Sequence, residues 1–366
     1  MQAKVQRIHI EDNKRIIVIS DIHGDIDSLK GLLSKIHFHT DDVLILNGDM
    51  VEKGTNSLET LGYIMYLCKT NTVYPVCGNC DAIARAVYSE DRNNELLMYL
   101  LIRKNSLLNE MCRELSITLD ENSDMMQIKE ILKKKFENEL EWINQLPDII
   151  DTKNFIFAHA GTSPHNMEKQ KNSYVRSTKA FLEQGIYFPK YCVVGHWPVS
   201  LYDNRKPSGN PIIDKEHKII CIDGGNVLKI DGQLNAFIIP SMDAAEFAFF
   251  SYDKLKSGIA QEDQEESTES HHILWTDNLI HIIKKEEEFT YCEQVSTRKK
   301  MWILNKYIYE DKSGFRCEGS TDYKLQVQAG DVVKVVEITK KGYLIKKNGI
   351  TGWYYGSILM ESTKVR

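Results

Sequence analysis

Proline is scarce in this chain, with eight in 366 residues and none beyond Pro240, so the last third differs in composition from what precedes it. No stretch approaches the apolar length that spans a bilayer, and Met1 to Ile10 holds no apolar core of signal-peptide length. The expectation is a cytoplasmic protein with no membrane partner. A basic excess is also lacking: 46 Lys and Arg stand against 52 Asp and Glu, a formal net charge of -6, which argues against nonspecific nucleic-acid binding. The eight cysteines are dispersed, and Cys192 and Cys221 lie inside apolar stretches, which fits reduced thiols better than a disulfide framework. Cys77-x-x-Cys80 has no second pair to complete a zinc or redox motif. With 42% hydrophobic residues, the chain can bury more than one core, so two or three domains are expected.

What is present is a recurrence. Six short apolar runs, Ile16–Ile19, Val43–Leu46, Val73–Val76, Phe155–Phe157, Val193–Val194 and Ile219–Ile222, read as fully buried strands. Each runs into residues able to hold a metal or orient a ligand: Asp21-x-His23, Gly48-Asp49, Gly78-Asn79, His159, Gly195-His196 and Asp223-Gly224-Gly225. In open α/β sheets, sites lie beyond the carboxyl ends of such strands. A scatter of His and Asp would not fall repeatedly on that edge, so one site assembled from many strand ends is expected.

The residue types fit a two-metal site. Two divalent cations about 3.5–4 Å apart can hold a hydroxide between them and clamp both oxygens of an in-line displacement at phosphorus. Asp49 is the expected bridge, because a carboxylate can offer one oxygen to each ion. Asp21 and His23 would hold one ion; Asn79, His159 and His196 would complete the other. Neutral imidazole and carboxamide donors add no negative charge, which leaves the site attractive to phosphate. Mn²⁺ is the expected pair, with Fe or Zn as alternatives. Asp223 is expected to orient a ligand histidine through its second ring nitrogen, with Glu52 and Asp81 as further supports.

Asp21-Ile22-His23-Gly24-Asp25, Gly48-Asp49-Met50-Val51-Glu52-Lys53-Gly54, Gly78-Asn79-Cys80-Asp81, His159-Ala160-Gly161, Gly195-His196 and Ile222-Asp223-Gly224-Gly225 together resemble the calcineurin-like metallophosphoesterases. Within that family they look most like the bacterial phosphoprotein-phosphatase and diadenosine-tetraphosphatase branch. The resemblance covers roughly residues 14–250 and implies an α/β fold, a double β-sheet sandwich flanked by helices. Two departures bear on substrate. Glu52-Lys53 stands where the family usually has Asp-Arg, and Cys77-Gly78-Asn79-Cys80-Asp81 where it has Arg-Gly-Asn-His-Glu. Two phosphate-clamping arginines and the histidine acid are missing; Lys53 keeps a charge without the bidentate fork. Cys80 or His165 could serve as the acid, and Arg176 could bind phosphate, whereas Asp25 could orient a ligand or only complement the dipole of the following helix.

The resemblance leads to a serine/threonine- or tyrosine-type phosphoprotein phosphatase, with a nucleoside polyphosphate or phosphodiester hydrolase next. A metal-binding scaffold with little turnover is the alternative of another class. The missing acid predicts a preference for aryl phosphates and anhydrides over phosphoserine.

Residues 1–255 are expected to form the catalytic domain, interrupted at about 82–147 by a helical insertion. Leu97, Leu101, Leu108, Met111 and Leu115 repeat on one helical face, and Ile128, Leu132, Phe136 and Ile143 on another. Packing against the sheet is the simpler role for this insertion, and a substrate-selecting cap the other. Residues 256–271 read as an acidic linker. Beyond it, short aromatic-punctuated strands suggest tandem SH3-like units over 272–309 and 310–366, with Trp302 and Trp353 at equivalent core positions. Such a tail would bind a peptide or self-associate.

Overall fold

Ile16–Ile19 is a strand of four fully buried residues, and its side chains alternate between two cores. Ile16 and Val18 pack with Val43, Ile45, Phe155, Phe157, Val193 and Phe237, while Ile17 and Ile19 pack with Leu44, Leu46 and surrounding helices. That period of two is what a strand buried on both faces requires. The computed structural model describes residues 1–360 and divides the chain into two compact units. The first comprises residues 1–197 and 211–253; the second comprises 198–210 and the chain from Lys254 onward.

The first unit contains two sheets. One has the order Ala248–Tyr252, Leu234–Ile239, Ile16–Ile19, Val43–Asn47, Thr72–Val76, with the last three strands parallel. The other runs Val5–Arg7, Ile149–Asp151, Phe155–Ala158, Tyr191–Val194, Ile219–Cys221, Ile212–Asp214, and its third to fifth strands are parallel. All six expected strands form. Residues of both sheets share one apolar core, so the sheets pack face to face.

Between the third and fourth motifs lie the helices Asn93–Ile102, Leu107–Glu114, Met125–Lys135 and Glu137–Gln145. Ser106 caps the second of these by accepting from Asn109 N–H at 3.2 Å, and Asp124 caps the third from Met126 N–H at 2.9 Å. Leu96, Leu100, Leu108, Met111, Leu132 and Ile143 share the core of Ile17 and Leu44, so the insertion packs on the outer face of the sheet.

The second unit departs from the sequence reading in four ways. Residues 256–271 are not a free linker: Lys256–Ala260 is a strand between Val332–Thr339 and Ile358–Met360 in a five-stranded antiparallel sheet. The ladder on both sides satisfies its backbone, and Ala260 at its end is fully buried in an apolar cluster. The division at 309/310 also fails, since Ile308–Asp311 pairs with Gly314–Cys317, and His272–Ile273 with Ser320–Thr321. The strands form small sheets around two apolar clusters. Residues 198–210 belong to this unit as well, with Thr351 N–H donating to Pro207 O at 3.0 Å and Gly209 N–H to Gly349 O at 2.8 Å. Finally, both tryptophans line a cavity of about 260 Å³, but Trp353 is 7% exposed and its indole N–H donates to Thr321 O at 2.8 Å, whereas Trp302 is 36% exposed. The two tryptophans are not equivalent.

Candidate metal centre

The site begins in the backbone. Asp21 (φ 57°), His23 (φ 54°), Asp49 (φ 52°) and His196 (φ 66°) all adopt the left-handed conformation. Such backbone is uncommon for residues with a Cβ and costs on the order of 1–3 kcal/mol each. It turns the chain sharply at the very residues that carry the donor groups. The turns are tied together: Asp21 N–H donates to Gly48 O (3.0 Å), His23 N–H to Asp49 O (2.9 Å), Gly195 N–H to His159 O (2.8 Å) and His196 N–H to the Asp21 carboxylate (3.0 Å). Close approach explains two motif glycines. A Cβ on Gly78 would lie 2.1 Å from Asp49 Oδ1, and one on Gly195 2.3 Å from Asp21 Oδ2.

Two donor groups result. His23, Asp49 and Cys80 place one ligand atom each within 4.8 Å of one another, as do Asp49, His159 and His196. Asp49 belongs to both, as a bridge must. Asp21 Oδ1 lies 3.8 Å from His23 Nε2, and Asp49 Oδ2 lies 4.0 Å from it. In the second group, His159 Nε2 is 3.3 Å from Asp49 Oδ1. The head of Asn79 lies 2.8 Å from His196 Nδ1, 3.2 Å from His159 Nε2 and 3.1 Å from the Arg176 carbonyl. If its NH₂ faces these atoms it donates to them; if its oxygen does, it can accept from an imidazole N–H or bind a cation.

The electrostatics point the same way. Burial pushes the His159 imidazole down, but the carboxylates of Asp49 and Asp21 outweigh it and hold it up at about 10. Burial pushes His23 and His196 down to about 3, helped by Lys53 at the first and by His159 at the second. Both rings are therefore neutral donors. The cluster offers nitrogen and oxygen donors suited to borderline divalent metals. Asp21, His23, Asp49, Asn79, His159 and His196 fit that role.

The supporting residues sort themselves. Asp81 is fully buried, and its carboxylate accepts from the N–H groups of Asp49 (2.9 Å), Met50 (2.9 Å), Val51 (3.3 Å) and Gly78 (2.8 Å), locking two ligand loops together. Glu52 accepts from Tyr99 O–H (2.7 Å) and Leu107 N–H (2.8 Å), which fastens the second motif to the helical insertion. Lys53 Nζ lies 3.4 Å from His23 Nε2. Asp25 caps the helix Ile26–Lys35, accepting from Ser28 N–H at 3.1 Å.

Three sequence expectations are corrected. Asp223 does not orient a ligand histidine: one oxygen accepts from Gly225 N–H (2.8 Å), the other has no hydrogen bond, and His159 Nδ1 instead faces the Asn47 carbonyl at 3.0 Å. The Arg176 side chain is 9% exposed and its Nε donates to Asp148 Oδ1 at 2.5 Å, so the guanidinium is spent on a buried carboxylate and only its carbonyl reaches the centre. His165 is exposed, and its backbone N–H and carbonyl bond Ser163 Oγ, so it lies outside the buried cluster. Lys179 escaped the sequence reading; exposed on a loop, it adds positive charge felt by His196, and no motif announces it.

Among the described residues, no helix is long and apolar enough to cross a membrane. The family model for calcineurin-like phosphoesterase matches residues 14–211. A symmetrical bis(5'-nucleosyl)-tetraphosphatase of Erwinia tasmaniensis is 27% identical over 173 residues, 46% of this chain and 53% of that protein. The chain thus spans about half the length of that relative. The protein of the same name from Salmonella paratyphi B is 26% identical over 208 residues, 53% of this chain and 71% of that protein. A crystal structure of a candidate diadenosine tetraphosphatase aligns with a TM-score of 0.46 at 20% identity, covering 69% of this chain and 99% of the other.

Proposed function

The chain belongs to the calcineurin-like phosphoesterases, and from that premise we propose that it hydrolyses phosphoanhydride or phosphoester bonds whose leaving group needs no proton, dinucleoside polyphosphates first among them. One observation carries the choice. Where the related phosphatases have a histidine after the ligand asparagine, this chain has the buried Cys80, and the other acid considered, His165, is exposed outside the cluster. A positioned acid contributes roughly 10²–10⁴-fold. A serine alkoxide needs that help, whereas a departing nucleotide phosphate or phenolate does not. The names of the curated relatives agree with an anhydride substrate.

Two divalent ions held by Asp21, His23, Asp49, Asn79, His159 and His196 would supply the nucleophile and neutralise the phosphoryl oxygens. The protein's own groups do the rest. Lys53, with Nζ 3.4 Å from His23 Nε2, offers a point charge to a phosphoryl oxygen, without the two-pronged orientation an arginine would give. Lys179 adds a second positive charge on the side of His196. Asp81, through its four N–H contacts, keeps the Asp49 and Asn79 loops from drifting apart as charge shifts between them.

A second reading, a phosphatase selective for phosphotyrosine, rests on the same missing acid. Steady-state rates on diadenosine tetraphosphate, a phosphotyrosine peptide and its phosphoserine counterpart separate the two. The proposal expects the anhydride fastest and phosphoserine at least about a hundredfold slower. Equal rates on the two peptides would overturn it. The second unit, the region read as SH3-like, is proposed to recruit a partner and to contribute nothing to the chemistry. Trp302→Ala should leave turnover of a small aryl phosphate unchanged, and a loss of turnover would refute that separation.

A further inference from the structure

We propose that Cys80 is itself a metal ligand, its Sγ joining His23 Nε2 and an Asp49 oxygen on the first ion, so that one half of the centre carries a sulfur donor. The inference rests on the two-metal reading above and adds to it.

The placement of the sulfur is the first ground. One ligand atom from each of His23, Asp49 and Cys80 lies within 4.8 Å of the other two. Zinc binds sulfur at about 2.3 Å and imidazole nitrogen at about 2.0–2.1 Å, so at tetrahedral angles donors on one ion sit about 3.6 Å apart. From separations of at most 4.8 Å the three atoms need close by no more than about an ångström to share an ion. The second ground is how firmly Cys80 is held. Its N–H donates to Asp49 Oδ1 at 2.8 Å, and it immediately precedes Asp81, whose carboxylate is fixed by four backbone N–H groups. The sulfur therefore keeps its station beside the bridging carboxylate. The third ground is its bonding. With the Asn79 oxygen turned toward the imidazoles, as metal binding requires, its NH₂ donates to Cys80 Sγ at 3.4 Å, so the sulfur offers a lone pair toward the ligand shell. Cys77, by contrast, donates through its thiol to the Gly78 carbonyl at 3.4 Å, and it joins no donor group.

Coordination would release the thiol proton to solvent and leave the sulfur bound as thiolate. A thiolate selects Zn²⁺, Fe²⁺ or Co²⁺ over Mn²⁺. The first ion should thus differ from the second, whose donors are all nitrogen and oxygen.

The test is Co²⁺ loading of the full-length protein, read by absorption spectroscopy. Visible d–d bands report metal bound at either position; a near-ultraviolet sulfur-to-cobalt charge-transfer band reports a thiolate ligand. The wild type should show both, Cys80→Ser should lose the charge-transfer band while keeping d–d bands, and Cys77→Ser should keep both. No charge-transfer band in wild type despite d–d bands overturns the sulfur ligand but leaves the two-metal reading intact. A charge-transfer band that survives in Cys80→Ser overturns it too, by assigning another cysteine. Absence of all cobalt bands would instead remove the metal reading itself. X-ray absorption of the zinc-loaded wild type gives an answer independent of any variant: a Zn–S shell at about 2.3 Å supports the proposal and a spectrum fitted by nitrogen and oxygen alone rejects it.

Discussion

Around His23, donor atoms stand 3.8–4.0 Å apart and share their space with the ammonium of Lys53 and the thiol of Cys80; around His196 they stand 2.8–3.3 Å apart, and the lining is imidazole, carboxamide and carboxylate. The closer half is backed by rigid structure. His159 is oriented by the Asn47 carbonyl, and the carbonyl of Arg176, whose side chain is fixed by Asp148, touches Asn79. The wider half is carried by the Asp49–Lys53 loop, which is fastened to the helical insertion through Glu52 and the Lys53 backbone. One half is set by the sheet and the other by an insertion. The centre should therefore fill unequally, with the ion at Asn79, His159 and His196 bound first and more tightly.

Asp49→Asn would abolish the contrast altogether, because the bridge serves both halves. Metal content should fall to well below one ion per chain, and turnover should drop at least about a thousandfold, the equivalent of several kcal/mol of transition-state stabilisation. Inductively coupled plasma analysis alongside kinetics decides it, and full occupancy in that variant would refute the bridge.

Arg176→Met breaks the support behind the closer half. It leaves buried Asp148 without its charged partner, the Lys4 N–H at 2.7 Å remaining, which costs about 3–5 kcal/mol. Denaturant unfolding should show that loss, while kcat per folded molecule stays within a few fold. A selective collapse of KM instead would restore Arg176 to substrate binding.

Lys53→Met probes the wider half. An oriented donor is worth about 10²–10³-fold, and a single unforked ammonium should be worth less, about tenfold to a hundredfold in kcat/KM. Metal content should be unchanged, and a loss of the first ion would mean that Lys53 shapes the cage and does not face substrate.

The smallest effect concerns Glu52. Burial pushes its carboxyl up to about 7, against hydrogen bonds from Tyr99 and Leu107 that favour the anion. A carboxyl raised on folding keeps its proton in the native state longer than in the unfolded one. Its contribution is therefore full below about pH 4.5 and is lost as pH rises through about 7. Glu52→Gln does not titrate. Its unfolding free energy should fall less between pH 5 and 8, by roughly 1–3 kcal/mol, than that of the wild type. Parallel curves would show that Glu52 is already ionised in the fold.

The first unit was legible because doubly buried parallel strands must be continuous apolar runs, and chemistry must follow where they end. Ile16–Ile19 then Asp21, and Phe155–Ala158 then His159, are readable from local order alone. What failed was long-range. Arg176 looks like a phosphate ligand until Asp148, 28 residues earlier, is seen to hold it. Lys256–Ala260 looks like linker because it opens onto the polar, acidic run 261–270, whereas its place is decided by backbone ladders to residues beyond 330. Trp302 and Trp353 share a residue type and a strand context, but only Trp353 has a buried acceptor for its N–H. Cys80 was visible as a departure from a motif, yet its neighbour His23 is 57 positions away and only the fold brings them together.

The chain enters the second unit directly after Trp197, leaves it at Pro211, and enters it again after Asp253. The second unit is consequently laced into the first by three covalent passages. A protease that cuts after Asp253 severs the chain from Lys254 onward, yet residues 198–210 still hold it through the Gly209 N–H to Gly349 O and Thr351 N–H to Pro207 O bonds. A stop codon after Ser270 would not remove a tail; it would leave residues 198–210 and 254–270 stripped of partners such as the strands Ile350–Tyr354 and Val332–Thr339. Shedding the second unit as an intact body would take three cuts.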